Sequence, residues 1–505
     1  MAKILTADAV NISVQTERPE SGLQWVDVGL LLVILIFSLL RMQHLLADFP
    51  TASIYADDWS WFTDEGWYAS AALNLHQTGH WVQPGDWSPG IAMPVWPALA
   101  AGLFHFTGVS ALALRRMEVV CAWGTILLAY LLGRRYVNNR TGLCVAALVS
   151  TSAILFFFSR MALLEEPLMM ITLAAILLAS VTGAKSYGKA VLLGALLGSM
   201  MLTKTTAVCL FPAALYPLLP QCKYRWRPVL RLGLVSCLVA GAIYAADRYF
   251  LVQPHLAEFH DLWFRYDTTA PSEKLLVHSF LRFFYRGPWA GPVLFPVAVI
   301  AVLSSAIWMR RLFLVPLFSI SVLWFSGVGA FLIYHFYGPP RYFSLLTVPM
   351  CFIAALWSRA LLERRRSLGL VVLGVIVAGA CWNIFYILRW ETRPQYEYAQ
   401  VSAQMRQIID AEPNHSHFVL GHGAAQLRLF TDLDGIDAGF GPATLDDKIA
   451  TYHPGWFVSW NGSDSSDPET IPALVSHYRI VPRGSFPVFH DRVRNHLSIY
   501  ELEPR

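Results

Sequence analysis

Apolar residues in this chain come in long uninterrupted runs rather than at the spacing of a soluble helix or strand, as in Trp25 to Leu46 and Leu312 to Phe336. About 20 apolar residues at a rise of about 1.5 Å cross the roughly 30 Å hydrocarbon core of a bilayer. Placing such runs along the chain predicts a polytopic α-helical membrane protein with about eleven transmembrane helices. The pattern changes after Trp390: from about Gln395 to Arg505, polar and charged residues punctuate short apolar groups, as in a small α/β domain. There, Val401, Met405, Ile408 and Ile409 form a helical stripe, and His417 to Leu420 and Trp456 to Trp460 read as buried strands. Thr444 with Asp447 reads as a capping box and Asp467-Pro468 as a helix start. The expected organisation is a cytoplasmic segment over 1–24, a transmembrane domain over 25–390 with outer loops at 47–110 and 252–289, and an extracytoplasmic α/β domain over 391–505.

Charge orients the spans. Basic clusters recur at Arg134, Arg135 and Arg140, at Lys185 and Lys189, at Lys223 to Arg231, at Arg310 and Arg311, and at Arg359 to Arg366. Cytoplasmic loops carry such excess, so the amino terminus is placed inside and the carboxyl terminus outside. From Asp48 to Leu114 there is no Lys or Arg, but there are six acids and a set of tryptophans that includes Trp59, Trp67, Trp81 and Trp96. This loop is expected on the outer surface. Within it Trp67, Ala71, Ala72 and Leu75 predict an amphipathic helix in the interface plane, stopped by Gly79.

Composition narrows the choice further. The chain is 55% hydrophobic and 14% charged, which excludes a single soluble fold. Its net charge of +4 is spread over membrane turns, and nucleic-acid binding is not expected. The seven cysteines form no CxxC and lie outside the polar segments, so neither a disulfide framework nor a zinc site follows. The first apolar run is long, with no small-residue cleavage site, and is expected to be a retained span.

Within this frame, certain charges need a reason. Asp64-Glu65 stands ahead of the predicted interfacial helix, where a carboxylate could serve as general base, and Asp57-Asp58 has an equal claim by chemistry. Glu165-Glu166 follow Arg160 where a span should emerge on the same side; they could join a site, form an ion pair with Arg160, or hold a divalent cation such as magnesium or manganese. Arg115, Arg116, Arg160, Lys204 and Arg341 are cations placed outside, where a phosphate would account for them. Lys204 lies between two short apolar runs, and Arg341 opens a span with Tyr342 after Gly338-Pro339-Pro340; snorkelling to the interface is the plain alternative for both.

These motifs, in order, resemble those of GT-C glycosyltransferases, closest to the bacterial relatives of protein O-mannosyltransferases and lipid A aminoarabinose transferases. The matching stretches are Asp64-Glu65-Gly66-Trp67-Tyr68, Gly79-His80-Trp81, Ser88-Pro89, Phe104 to Gly108 leading to Arg115-Arg116, Ser159 to Glu165, Leu202-Thr203-Lys204 and Pro340-Arg341-Tyr342 with Pro349. The resemblance spans most of residues 25 to 390. It implies an enzyme of the inner, or plasma, membrane of bacteria that transfers a sugar from a polyprenyl-phosphate donor to a lipid, glycan or protein acceptor at the outer face. It implies Asp64 as the base, Glu65 as its helper, Glu165 as a second site acid, and Lys204 and Arg341 as contacts to the lipid phosphate. No cofactor is required, and a divalent cation is optional. Aminoarabinose transferases carry an Arg right after the acidic pair and a Lys later in the loop, whereas this chain has Gly66, Trp67 and no cation there. A transporter or lipid-binding scaffold for a phosphate-bearing ligand is the competing class.

Overall fold

The computed structural model describes residues 24–50, 55, 58, 63–262, 273–335, 338–461, 470–488 and 495–505. Asp57 and Asp467-Pro468 lie outside the described residues. Among these, five helices are long and apolar enough to cross a membrane: Ala111–Tyr136, Trp226–His260, Pro316–Tyr334, Pro340–Arg364 and Arg366–Glu391. Trp25–Leu40, Val95–Thr107, Tyr187–Thr203 and Leu294–Trp308 are shorter apolar helices. The Arg366–Glu391 helix turns Leu370, Val371, Val377, Trp382 and Phe385 outward, an apolar face suited to lipid and not to water. The chain is an integral membrane protein.

The first span is shorter than its apolar run. Its helix ends at Leu40, and the next residue, Arg41, is buried. This buried guanidinium donates to the carbonyls of Phe37 at 3.0 Å and Ser150 at 2.9 Å, and to Ser159 Oγ at 3.2 Å. A buried cation is tolerated only with such a full set of acceptors.

The C-terminal residues form a small α/β domain around a five-stranded sheet. Its strands are β1 (Val419–Gly421), β2 (Gly435–Ile436), β3 (Trp456–Trp460), β4 (Tyr478–Pro487) and β5 (His496–Pro504), in the order β2-β1-β3-β5-β4. β1 runs parallel to β2 and β3, and β5 antiparallel to β3 and β4. β3 is buried along its whole length and has the bounds its apolar run predicts. β1 begins two residues later than expected and leaves His417 half-exposed beside Asp410. The expected Thr444–Asp447 capping box is present, and the Glu397–Asp410 helix buries Val401, Met405 and Ile409.

The helix predicted in the first outer loop is present, and protein packs on both of its sides. Asp64–Thr78 is a helix, Gly79 ends it with φ 78°, and much of it is buried in protein. Its residues Ala69 to Asn74 are all buried, and Leu75, placed on the apolar face by its spacing, is 41% exposed. The Asp64 helix is packed between the Val95–Thr107 helix and the Ala424–Thr431 helix of the C-terminal domain. Its small side chains, Ala69, Ser70, Ala71 and Ala72, allow close approach from both sides.

Candidate active site

Four chain segments bring charged groups to one end of the helical bundle. Asp64 stands in the first turn of its own helix, and Glu165 opens the Glu165–Ala179 helix. Lys204 follows the last turn of Tyr187–Thr203, where the chain turns extended before a short 3₁₀ segment. Arg341 lies in the turn after Pro339-Pro340, whose missing N–H groups and fixed φ make that helix start abrupt.

Arg341 is the hub. Its Nη1 donates to Asp58 Oδ1 at 2.8 Å, its backbone N–H to Asp58 Oδ2 at 2.7 Å, and its Nη2 pairs with Asp64 Oδ2 at 2.6 Å. Its Nε lies 3.8 Å from Glu165 Oε1, which also accepts from Lys204 Nζ. Asp58, Asp64, Glu165, Lys204 and Arg341 are all under 5% exposed. The Lys204 ammonium sits 4.1 Å from the centre of the Tyr342 ring, a distance at which the ring face attracts a cation. Three carboxyl groups thus face two cations, which leaves one negative charge without a counter-charge in the cluster.

Asp64 carries that imbalance. Burial raises its pKa from the ordinary carboxyl value, and the neighbouring Asp58 and Glu165 charges push the same way. The Arg341 guanidinium and the Thr63 hydroxyl, which donates to Asp64 Oδ1 at 2.9 Å, pull it down without cancelling the burial effect. A carboxyl of this kind accepts a proton at higher pH than an ordinary aspartate. Glu165 Oε2, also buried, has no hydrogen-bond partner among the described residues.

Glu65 is used differently from its neighbour. It is fully buried, and Arg115 Nε and Nη2 donate to its two oxygens at 2.7 and 2.5 Å. Ala162 N–H adds a bond to Oε1 at 2.8 Å and Gln426 Nε2 one to Oε2 at 3.0 Å. These four bonds tie Glu65 to three distant segments of the chain. Arg115 Nη1 also donates to the Leu45 and Ala47 carbonyls.

Other expected residues fall elsewhere. Arg160 does not pair with Glu165; it bonds Glu391 and the Gln43 carbonyl and stacks on Trp390 at 4.2 Å. Glu166 has Arg41 as its charged neighbour, and Arg116 is exposed. Asp58 belongs to the cluster and accepts from the Arg341 side chain and backbone N–H. Among the described residues no group of three or more His, Cys, Asp or Glu is arranged to hold a metal ion; the three carboxylates converge on the guanidinium instead. Sequence reasoning singled out neither Gln426 nor Glu118. Glu118, a lone acid in the apolar Ala111–Tyr136 helix, is fully buried, and its oxygens have no partner among the described residues. Its isolation in an apolar run is a signal that could have found it.

Residues 88–245 match the sequence model of the dolichyl-phosphate-mannose-protein mannosyltransferase family. No curated protein sequence matches significantly. The crystal structure of ArnT from Cupriavidus metallidurans in the apo state superposes with a TM-score of 0.59 at 14% identity, covering 94% of this chain and 98% of that one. The same protein bound to undecaprenyl phosphate matches with the same TM-score, 0.59. The Archaeoglobus fulgidus oligosaccharyltransferase, in complex with zinc and sulfate, matches with a TM-score of 0.52 at 13% identity, over 90% of this chain and 72% of that one. The chain has the GT-C fold of these proteins.

Proposed function

We propose that the chain is a membrane glycosyltransferase that moves a sugar from a polyprenyl-phosphate donor to an acceptor hydroxyl at the extracytoplasmic face, with Asp64 as general base. The observation that carries this reading is one buried cluster in which Asp64, a carboxyl of raised pKa, pairs with Arg341, while Lys204 pairs with the neighbouring Glu165. The GT-C fold supports the donor class, since ArnT shares it and binds undecaprenyl phosphate. The positive-inside arithmetic supports the sidedness.

The chemistry follows from the charges. Asp64, ionised, takes the proton of the acceptor hydroxyl, whose oxygen forms the new bond to the anomeric carbon. The bond from that carbon to the phosphate oxygen breaks, and polyprenyl phosphate leaves with the electron pair. Lys204 and Arg341 face the growing negative charge. Of the three N–H donors of Lys204, Glu165 engages one, so further donors remain for a phosphate oxygen. Fixed cations in a dry site stabilise such charge by several kcal/mol.

The test is sugar transfer by the intact chain and by Asp64→Asn in proteoliposomes, with a panel of polyprenyl-phosphate sugars. The expected result is transfer by the parent and a loss of about 10²- to 10⁴-fold in kcat for the variant, the usual range for a positioned base. Equal kcat for the two proteins would overturn the assignment of Asp64.

A further inference from the structure

The Asp64 helix begins without a cap of its own. Thr63 precedes it and makes no side-chain bond to its free N–H groups, although the first turn of any helix leaves such donors unsatisfied. The Gly66 N–H finds its acceptor 360 positions along the chain, in Gln426 Oε1 at 2.7 Å. The other end of the same amide, Gln426 Nε2, donates to Glu65 Oε2 at 3.0 Å. One fully buried side chain of the C-terminal domain therefore holds both residues that follow Asp64.

The approach is built for this contact. A Cβ at Gly66 would lie 2.2 Å from the backbone of Ala425 and Gln426, so the Ala424–Thr431 helix can come this near only because residue 66 is glycine. Gly423, in the left-handed region at φ 77°, starts that helix, and its N–H is fixed by Asp437 Oδ2 at 3.1 Å. Two residues after Gln426, the buried Arg428 donates to Asn74 Oδ1 and Gln77 Oε1, each at 2.7 Å. The domain thus grips the Asp64 helix near its start and again two turns on.

We infer that Gln426 is a positioning residue for the base: the C-terminal domain caps the Asp64 helix and thereby fixes Asp64 against Arg341. The inference deepens the transferase reading and rests on it for the role of Asp64. A displacement of about 1 Å at a reacting group costs up to about 100-fold in rate, and the cap lies two residues from the carboxyl it steadies.

The test compares the full-length protein with Gln426→Ala and Gln426→Glu. In Gln426→Ala, kcat should fall by about 10- to 100-fold with the donor KM within about threefold, because the defect is in alignment rather than binding. Gln426→Glu sets a second carboxylate against Glu65. Only its protonated form can donate to Glu65 Oε2 while still accepting from Gly66. Its kcat relative to the parent should therefore be depressed about tenfold or more near pH 8 and recover toward the parent near about pH 5.5. A flat ratio across that range would overturn the proposal, since general loosening of the domain does not follow one proton. Hydrogen exchange at the Gly66 amide gives a readout that needs no turnover, and Gln426→Ala should speed it by about tenfold or more. Unchanged exchange would overturn the coupling whatever the activity. A parent inactive with every donor would defeat the transferase reading, and faster exchange would still establish the cap.

Discussion

Replacing Arg341 by alanine should separate what the charge cluster does for the fold from what it does for the reaction. The guanidinium pairs with Asp58 and Asp64 at 2.8 and 2.6 Å and lies 3.8 Å from Glu165, all inside protein. Without it, the three carboxylates keep only Lys204. Removing one partner of a buried pair costs about 3–5 kcal/mol because the other charge is left uncompensated. The upper part of that range is expected here, since two close pairs are broken at once. Asp58 also accepts the Arg341 backbone N–H at 2.7 Å, a bond the alanine keeps, which should hold the loss near 5 kcal/mol rather than the sum of two pairs. The double variant Arg341→Ala/Asp58→Asn removes one stranded charge and retains an acceptor for that N–H. It should regain about half of the lost stability and none of the lost transfer. Thermal unfolding of the full-length protein in detergent, beside transfer assays at saturating donor, reads both quantities. Additive destabilisation by the two substitutions would refute the reasoning, since it would mean that Asp58 and Arg341 do not share their charge.

Three further outcomes follow. The acid limb of the kcat profile should lie above the pH expected of an ordinary aspartate, because Asp64 must be ionised to act and burial raises its pKa; activity is present above the shifted pKa and lost as pH falls through it, and an acid limb at or below about 4 would contradict this. Lys204→Met should raise the donor KM and lower kcat by about 10- to 100-fold, and donor-binding titrations that leave affinity unchanged would remove Lys204 from phosphate contact. Asp48 accepts from the Glu397 and Tyr398 N–H groups at 2.7 and 3.2 Å, and burial raises its pKa to about 7. A carboxyl raised in the folded state contributes stability that is full below its unfolded pKa of about 4 and is lost as pH rises through about 7. Thermal midpoints of the parent should therefore fall over that window, and in Asp48→Asn the fall should be smaller; an equal fall in both would place the titration elsewhere.

Local patterns in the chain carried most of the helical architecture. Apolar runs gave the long apolar helices, though not their number, Thr444 with Asp447 gave a helix start, Gly79 gave a helix end, and the Trp456 run gave β3. The charged residues were legible as exceptions in an apolar chain, but not their partners. Arg160 stood beside Glu165 in sequence and yet pairs with Glu391, 231 positions away. Asp58 holds Arg341 across 283 positions, and Gln426 reaches Glu65 across 361. Such pairs are set by how helix ends gather in space, and no periodicity records them. The partners of the Asp64 helix were hidden for a related reason. Its alanines look weakly amphipathic in isolation, and only the second domain packed on its other side explains why Ala69 to Asn74 are all small or buried.

The measurement that tests the central claim most directly follows two labels on one donor, one on the sugar and one on the phosphate, with the protein in sealed proteoliposomes. Each sugar moved to acceptor should release one polyprenyl phosphate, so that the two labels separate in equal amounts, and Asp64→Asn should slow the separation about 10²- to 10⁴-fold. Doubly labelled donor that crosses the bilayer intact, with no separation of sugar from phosphate, would contradict it and make the protein a transporter.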